Sequence, residues 1–330
     1  MFLRRPLLLL LTSIRFANLP SVVSNVWLGV ALGVLYFDPK LPPHLWLSAG
    51  LLTLAGLALY VSGNFLNDWY DRDWDARHRP ERALPQGAFS PKLYLMLGIF
   101  FSAIGVALAG TVGLPSGAVA GLIVLCILGY TRWHKTAEWT VILMGLCRAL
   151  LPALYFLTCF WPNRPPMPGN GPHASSEWFV ALWILTGAAS ANLGIALYVL
   201  ALSKAARREA VLPSRDNTVS SWFLFVLAGL SLTVIPLHDE FRHALNGLLL
   251  FAIWILLCFT KFRQPLTARV SALLAGLPLL DWVALLPLGF WMLENRSPEI
   301  GYQSVALVSL LLPPLAFIAG RLLQRLTPAT

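Results

Sequence analysis

Long uncharged apolar runs alternate along the chain with short charged segments. The runs predict spanning helices at about residues 20–37, 45–66, 93–112, 114–131, 139–161, 178–202, 219–237, 244–260, 270–293 and 301–320. Each is roughly 18–24 residues long, enough at about 1.5 Å per residue to cross a hydrocarbon core of about 30 Å. The expected architecture is all-α: one transmembrane helical bundle over 1–330, with about nine to ten helices around a central cavity. It has a first inner loop at 67–92, a second at 203–217 and an extra C-terminal helix at about 301–320.

Composition agrees. The chain is 57% hydrophobic and 12% charged, with a mean hydropathy of +0.69, more apolar surface than one soluble core can hide. Alternate loops sort the 24 Lys and Arg residues into 19 on one side and four on the other, with Arg148 inside a span. That asymmetry predicts an N-terminus on the cytoplasmic side of a bacterial inner membrane or its organellar equivalent. It also explains the net charge of +9 without nucleic acid, because the basic residues are spread over loops and not gathered on one face. Arg15 interrupts the apolar start Leu7–Leu11 and no small-residue cleavage site follows, which predicts an uncleaved lead-in to the first span. The single cysteines Cys126, Cys147, Cys159 and Cys258 lie inside apolar segments and read as packing atoms. Membrane lipid is the expected surrounding partner; no obligate protein partner is implied.

The candidate chemistry lies after the second span, in Asn67-Asp68-Trp69-Tyr70-Asp71-Arg72-Asp73-Trp74-Asp75. Asn67, Asp71 and Asp75 stand at i, i+4 and i+8, and Asp68 one turn before Asp71, so a helix continuing from the span gathers them on one face. Carboxylates that close repel unless cations neutralise them, and hard oxygen donors suit Mg²⁺. Arg72, Arg77, Arg79 and Arg82 supply phosphate-matching donors. A solvated loop in which Asp and Arg pair with each other is the plainer alternative. Ser62, Gly63 and Asn64 at the edge of the span favour a cavity lining instead.

The run Asn64-x-x-Asn67-Asp68-x-x-Asp71-x-x-x-Asp75, with Arg77, Pro80, Arg82 and Leu84-Pro85 after it, resembles the first signature of the UbiA prenyltransferase superfamily, which includes 4-hydroxybenzoate polyprenyltransferases. The resemblance implies a helical bundle around a cavity and Mg²⁺-dependent transfer of an isoprenoid from a prenyl diphosphate to a lipophilic or aromatic acceptor. It implies Asp71 and Asp75 as catalytic residues, with Asn67, Asp68, Asp71 and Asp75 holding the metal. Asn64, Arg72, Arg79, Arg82 and Lys135 would hold the diphosphate, with Trp69, Tyr70 or Tyr130 as π faces for an allylic cation.

A second aspartate-rich motif, usual in that family, is missing here. Its place is taken by Tyr198 to Glu209, with one acid and the bases Lys204, Arg207 and Arg208; Tyr198 falls where a family tyrosine would, and the bases would contact phosphate directly. This pattern, with Met144–Arg148 and Leu279-Leu280-Asp281, resembles the divergent UbiA-like proteins called EboC, associated with export or processing of a secondary metabolite. A non-catalytic protein that binds or moves a lipophilic metabolite is therefore the rival to the enzyme. Arg148 and Asp281 are the two clear charges inside spans. Each costs roughly 2.5–3.5 kcal/mol there and is expected to line the cavity, paired or not with the other. Asp281 as a cap on a turn broken near Pro278 and Pro287 is the alternative.

Overall fold

A computed structural model describes residues 4–35, 41, 44–163, 174–209, 218–234, 240–296 and 300–327. A short helix α1 (Arg4–Ser13) and a 3-10 turn (Phe16–Asn18) lead into α2 (Leu19–Val34), α3 (Leu45–His78), α4 (Pro91–Val112), α5 (Leu114–Trp133) and α6 (Thr140–Asn163). The second half holds α7 (Ala174–Glu209), α8 (Thr218–Leu232), α9 (Phe241–Thr260), α10 (Leu266–Ala275), α11 (Leu277–Arg296) and α12 (Ile300–Leu323). A helix stands at each of the ten expected positions. Among the described residues nine segments are long and apolar enough to cross a membrane. The exception is α8: its 15 residues cover only about 22 Å.

The helices start and stop where local chemistry directs. Ser90 caps α4, its side chain accepting from Leu93 N at 3.2 Å, and Pro91 follows at the first helical position, where a missing N–H costs nothing. Between α10 and α11 the ladder breaks at Gly276. The carbonyls at the break have no water to turn to within a bilayer. Leu273 O takes the Gly276 N–H at 2.9 Å and a second bond from Tyr198 Oη at 2.5 Å, and Trp254 Nε1 donates to Ala272 O at 3.1 Å.

Burial separates centre from rim. The apolar window containing α2 is 83% buried, that of α4 17%. Large apolar side chains such as Met96, Ile99, Phe100, Leu125, Leu249 and Leu315 face outward, the surface a lipid tail would cover. Inside, α2 packs against α6, α11 and α12. Gly29 makes the α2–α6 approach possible, because a Cβ there would overlap the carbonyl oxygen of Pro152. Gly247 does the same on α9, where a Cβ would lie 2.9 Å from Val283 Cα of α11.

The α3 helix has 34 residues, about 51 Å of rise, well beyond a hydrocarbon core of about 30 Å. Its surplus turns carry the acidic run. The expected loop at 67–92 is thus helix as far as His78, followed by a turn segment. The second loop, expected from 203, likewise begins later, since α7 continues to Glu209; residues 210–217 lie outside the described residues.

Candidate acid and base cluster at the end of α3

On the last turns of α3, Asp68, Asp71 and Asp75 are buried on one face, as the helical spacing requires. Three other segments bring cations to them. Arg82, in the turn after the helix, reaches back with Nη1 to Asp75 Oδ2 at 2.8 Å and Asp68 Oδ1 at 3.2 Å. That turn is set by Arg82 N to Arg79 O (3.1 Å) and Ala88 N to Ala83 O (3.0 Å), with Gly87 at φ 68°, where glycine avoids the strain a Cβ would bring.

From the end of α5, Lys135 Nζ lies 2.6 Å from Asp71 Oδ1, and His134 Nε2 lies 3.2 Å from Asp71 Oδ2. Lys135 also sits 4.5 Å over the Trp74 ring, and Tyr130 stacks on His134. From the N-terminal side, Arg15 bonds Asn64 Oδ1, and its Nη2 lies 3.5 Å from Asp68 Oδ1. Asn64 Nδ2 donates to Ile14 O at 3.0 Å, tying α3 to that segment. Arg15 adopts a left-handed φ of 49° to point this way.

The carboxylates are therefore neutralised by the chain's own bases. Neither Arg15 nor His134 is among the site residues expected from the sequence. Arg72, which was, turns out of the cluster: Nη1 donates to Trp69 O at 2.9 Å and Nη2 lies 3.7 Å from Asp73. Arg79 ends α3 with its N–H on Asp75 O at 2.8 Å; burial and the neighbouring Arg82 charge lower its guanidinium pKa. Lys204 is half-buried on the last turns of α7, and the Arg207 and Arg208 side chains lie outside the described residues. Tyr198 is fully buried against Phe225 and Phe251; its hydroxyl is spent on the α10–α11 break, not on this cluster.

The donor chemistry suits a hard divalent cation. Asn67 Nδ2 donates to Asp71 Oδ2 at 3.2 Å, a bond that does not use the Asn67 carbonyl oxygen. Asp68, Asp71 and Asp75 do not converge as a trio within 4.8 Å of one another, and Lys135 and Arg82 hold the oxygens a metal would use.

Arg148 and Asp281 come together with an amide between them. Asp281, fully buried on α11, accepts from Ser24 Oγ at 2.6 Å and from Asn25 Nδ2 at 2.9 Å on both oxygens. Arg148 Nη1 donates to Asn25 Oδ1 at 3.1 Å. Asp281 thus belongs to an interhelical network and does not cap a broken turn. At the opposite ends of the helices Glu240, His243 and Glu294 bring their ligating atoms within 4.8 Å of one another. Burial, then the Glu294 charge, raises the Glu240 pKa above its ordinary value of 4.5.

These features define a class: a multi-pass helical membrane protein with a buried acid and base cluster at one end of its bundle. The family model described as "UbiA prenyltransferase family" matches residues 26–299, and the chain belongs to that family. Family members generally depend on Mg²⁺. A protoheme IX farnesyltransferase of Symbiobacterium thermophilum is 36% identical over 121 residues, 34% of this chain and 39% of that protein. A digeranylgeranylglyceryl phosphate synthase of Natronomonas pharaonis is 34% identical over 74 residues, 22% of this chain and 27% of that protein. The chain thus spans about two fifths or less of the length of these curated relatives. A solved structure concerned with digeranylgeranylglyceryl phosphate synthase is similar with a TM-score of 0.47 and 16% identity, over 96% of this chain and 98% of that one.

Proposed function

We propose that this chain transfers an isoprenoid from a prenyl diphosphate to a lipophilic or aromatic acceptor at the end of α3. Family membership supports the reaction class, and one structural observation carries the assignment to this site: three buried carboxylates on one face of α3 are each met there by a cation, from Arg15, Arg82 or Lys135. Such a cluster is already near charge balance. A diphosphate and a divalent cation can therefore enter together by exchanging partners, the bases moving from carboxylate to phosphate oxygens.

Asn67, Asp68, Asp71 and Asp75 would hold Mg²⁺, which when bound offsets the charge developing on the departing diphosphate. Arg82 and Lys135 grip phosphate oxygens, Arg82 bidentately and Lys135 as a point charge, with Arg79 at the rim. The His134 imidazole, on Asp71 at 3.2 Å, orients that carboxylate. Trp74 and Tyr130, already stacked against Lys135 and His134, offer π faces to an allylic cation. The distribution of basic residues supports a cytoplasmic N-terminus, with the cluster on that side.

A second reading, a protein of the EboC type that binds or moves a lipophilic metabolite, is favoured by one sequence feature. Where the family's second acidic motif would fall, the chain has Lys204, Arg207 and Arg208 with only Glu209. Diphosphate release from a radiolabelled prenyl diphosphate, with a panel of aromatic acceptors and Mg²⁺, separates the two. Release above that of Asp71→Ala supports the transferase; no release from a protein that still binds the diphosphate supports the carrier.

A further inference from the structure

Among the described residues the buried carboxylates are Asp68, Asp71, Asp75, Asp281 and Glu240. A buried carboxylate is tolerated when a base or a set of N–H and O–H donors completes it. Arg15, Arg82 and Lys135 do this for the three on α3, and Ser24 with Asn25 does it for Asp281. Glu240 is provided for differently. It is 3% exposed and holds the N-cap position of α9, yet its side chain caps no backbone N–H. It turns instead to His243, one helical turn on, whose Nε2 lies 3.4 Å from Glu240 Oε2, and to a second carboxylate, Glu294 on the last turns of α11. The ligating atoms of the three lie within 4.8 Å of one another. Among the described residues no Lys or Arg forms an ion pair with either carboxylate; Arg242, beside His243 in the chain, is exposed.

Helix packing holds this group together. Gly247, one turn beyond His243, lets α9 approach α11 so closely that a Cβ there would lie 2.9 Å from Val283 Cα. Phe290, one turn before Glu294, stacks on the His243 ring with centroids 4.0 Å apart and planes at 19°. Two acids that repel each other are thus fixed beside a nitrogen donor. We propose that Glu240, His243 and Glu294 form a Zn²⁺ site that clamps α9 to α11 at the end of the bundle away from the α3 carboxylates. Zn²⁺ accepts three protein ligands of mixed nitrogen and oxygen, with a fourth position open to water beside the exposed Glu294. The imidazole counts against Mg²⁺ and Ca²⁺, which take oxygen. Ligand atoms about 2.0–2.1 Å from a tetrahedral ion stand about 3.4 Å apart. The His243–Glu240 pair already has that spacing, and the exposed Glu294 side chain is free to close the rest. When no ion is bound a proton relieves the acids in its place, burial and then the Glu294 charge raising the Glu240 pKa. The site does not depend on the transferase reading.

The test uses the untagged full-length protein in detergent micelles, stripped of metal with EDTA. Calorimetry measures Zn²⁺ binding, and the visible absorbance of Co²⁺ reports the geometry of the ligand set. The wild type is expected to bind Zn²⁺ with micromolar affinity, to hold it against a roughly thousand-fold excess of Mg²⁺, and to give tetrahedral Co²⁺ bands. Asp71→Ala is expected to bind Zn²⁺ as tightly as the wild type. In that background, which separates any ion held by the α3 carboxylates, two further substitutions address the ligands. His243→Phe keeps a ring stacked on Phe290 but removes the nitrogen, and Glu294→Gln removes an anionic ligand at an exposed position. Each is expected to weaken Zn²⁺ binding about ten-fold or more. A wild-type affinity weaker than about 100 µM would overturn the proposal, as would displacement by Mg²⁺ or loss of binding in Asp71→Ala. So would undiminished binding in either ligand variant. If His243→Phe does not fold, the wild-type titration and Glu294→Gln still decide.

Discussion

Arg82 is the clasp between the end of α3 and the turn that follows, and its removal has a calculable consequence. Its Nη1 serves Asp75 at 2.8 Å and Asp68 at 3.2 Å, and Asp75 is 2% exposed. Stripping one partner from a fully buried ion pair costs about 3–5 kcal/mol, most of it the charge left stranded. Asp68 retains Arg15 at 3.5 Å, and the Arg82 side chain is 20% exposed, so Arg82→Ala is expected to cost less, about 2–3 kcal/mol. Asp75→Asn removes the stranded charge. The double variant Asp75→Asn with Arg82→Ala should therefore be about 1–2 kcal/mol more stable than the sum of the single effects predicts. Reversible unfolding in mixed micelles, without divalent cations, measures the cycle. An Arg82→Ala variant within about 0.5 kcal/mol of wild type, or strict additivity, would refute the reasoning.

Other substitutions probe separate parts of the molecule. Glu240 faces Glu294, His243 and Arg242, and its raised pKa means that the folded protein holds this proton more tightly than the unfolded chain. Its contribution to stability is thus present at low pH and is lost as pH rises from 4.5 through the folded value. Glu240→Gln should melt higher than wild type above that range and level with it below; a gap that is the same at every pH would contradict this. Gly29→Leu drives a side chain into the Pro152 carbonyl and should destabilise by about 1–3 kcal/mol, read by the same unfolding titration. Lys135→Ala deletes one phosphate donor and should weaken prenyl diphosphate binding about ten-fold, without raising the Mg²⁺ concentration needed for half-saturation, since Asp71 is then freed.

The spans were legible in the sequence because a bilayer imposes a length and an apolarity that soluble packing does not. The α3 helix departs most from its expected range, running to His78 and not to 66, because its last turns carry a charged face that hydropathy alone reads as loop; α8 is shorter than expected, its described helix ending at Leu232 and not at 237. Asn67, Asp71 and Asp75 were legible as one face because four residues make nearly one helical turn. The same geometry explains Arg72, one residue past Asp71 and therefore about 100° round the helix, where it meets Trp69 and not the carboxylates. No periodicity joins distant segments. Arg15 lies 49 residues from Asn64, His134 63 from Asp71, and Ser24 257 from Asp281, so these partners emerge only once the helices pack. Arg15 left a sequence trace, as the base that interrupts an apolar lead-in, but nothing local connected it to the acidic run. Tyr198 shows the reverse: its position matched a family pattern, while its hydroxyl is committed to the Leu273 carbonyl at the α10–α11 break.

The central claim is that a prenyl diphosphate binds among the carboxylates and bases at the end of α3. Calorimetric binding of a non-hydrolysable prenyl thiodiphosphate to the purified full-length protein, with and without Mg²⁺, for wild type and Asp71→Ala, addresses it directly. The account predicts Mg²⁺-dependent binding by the wild type and its loss in a folded Asp71→Ala; equal binding by both, or none by the wild type, would contradict it.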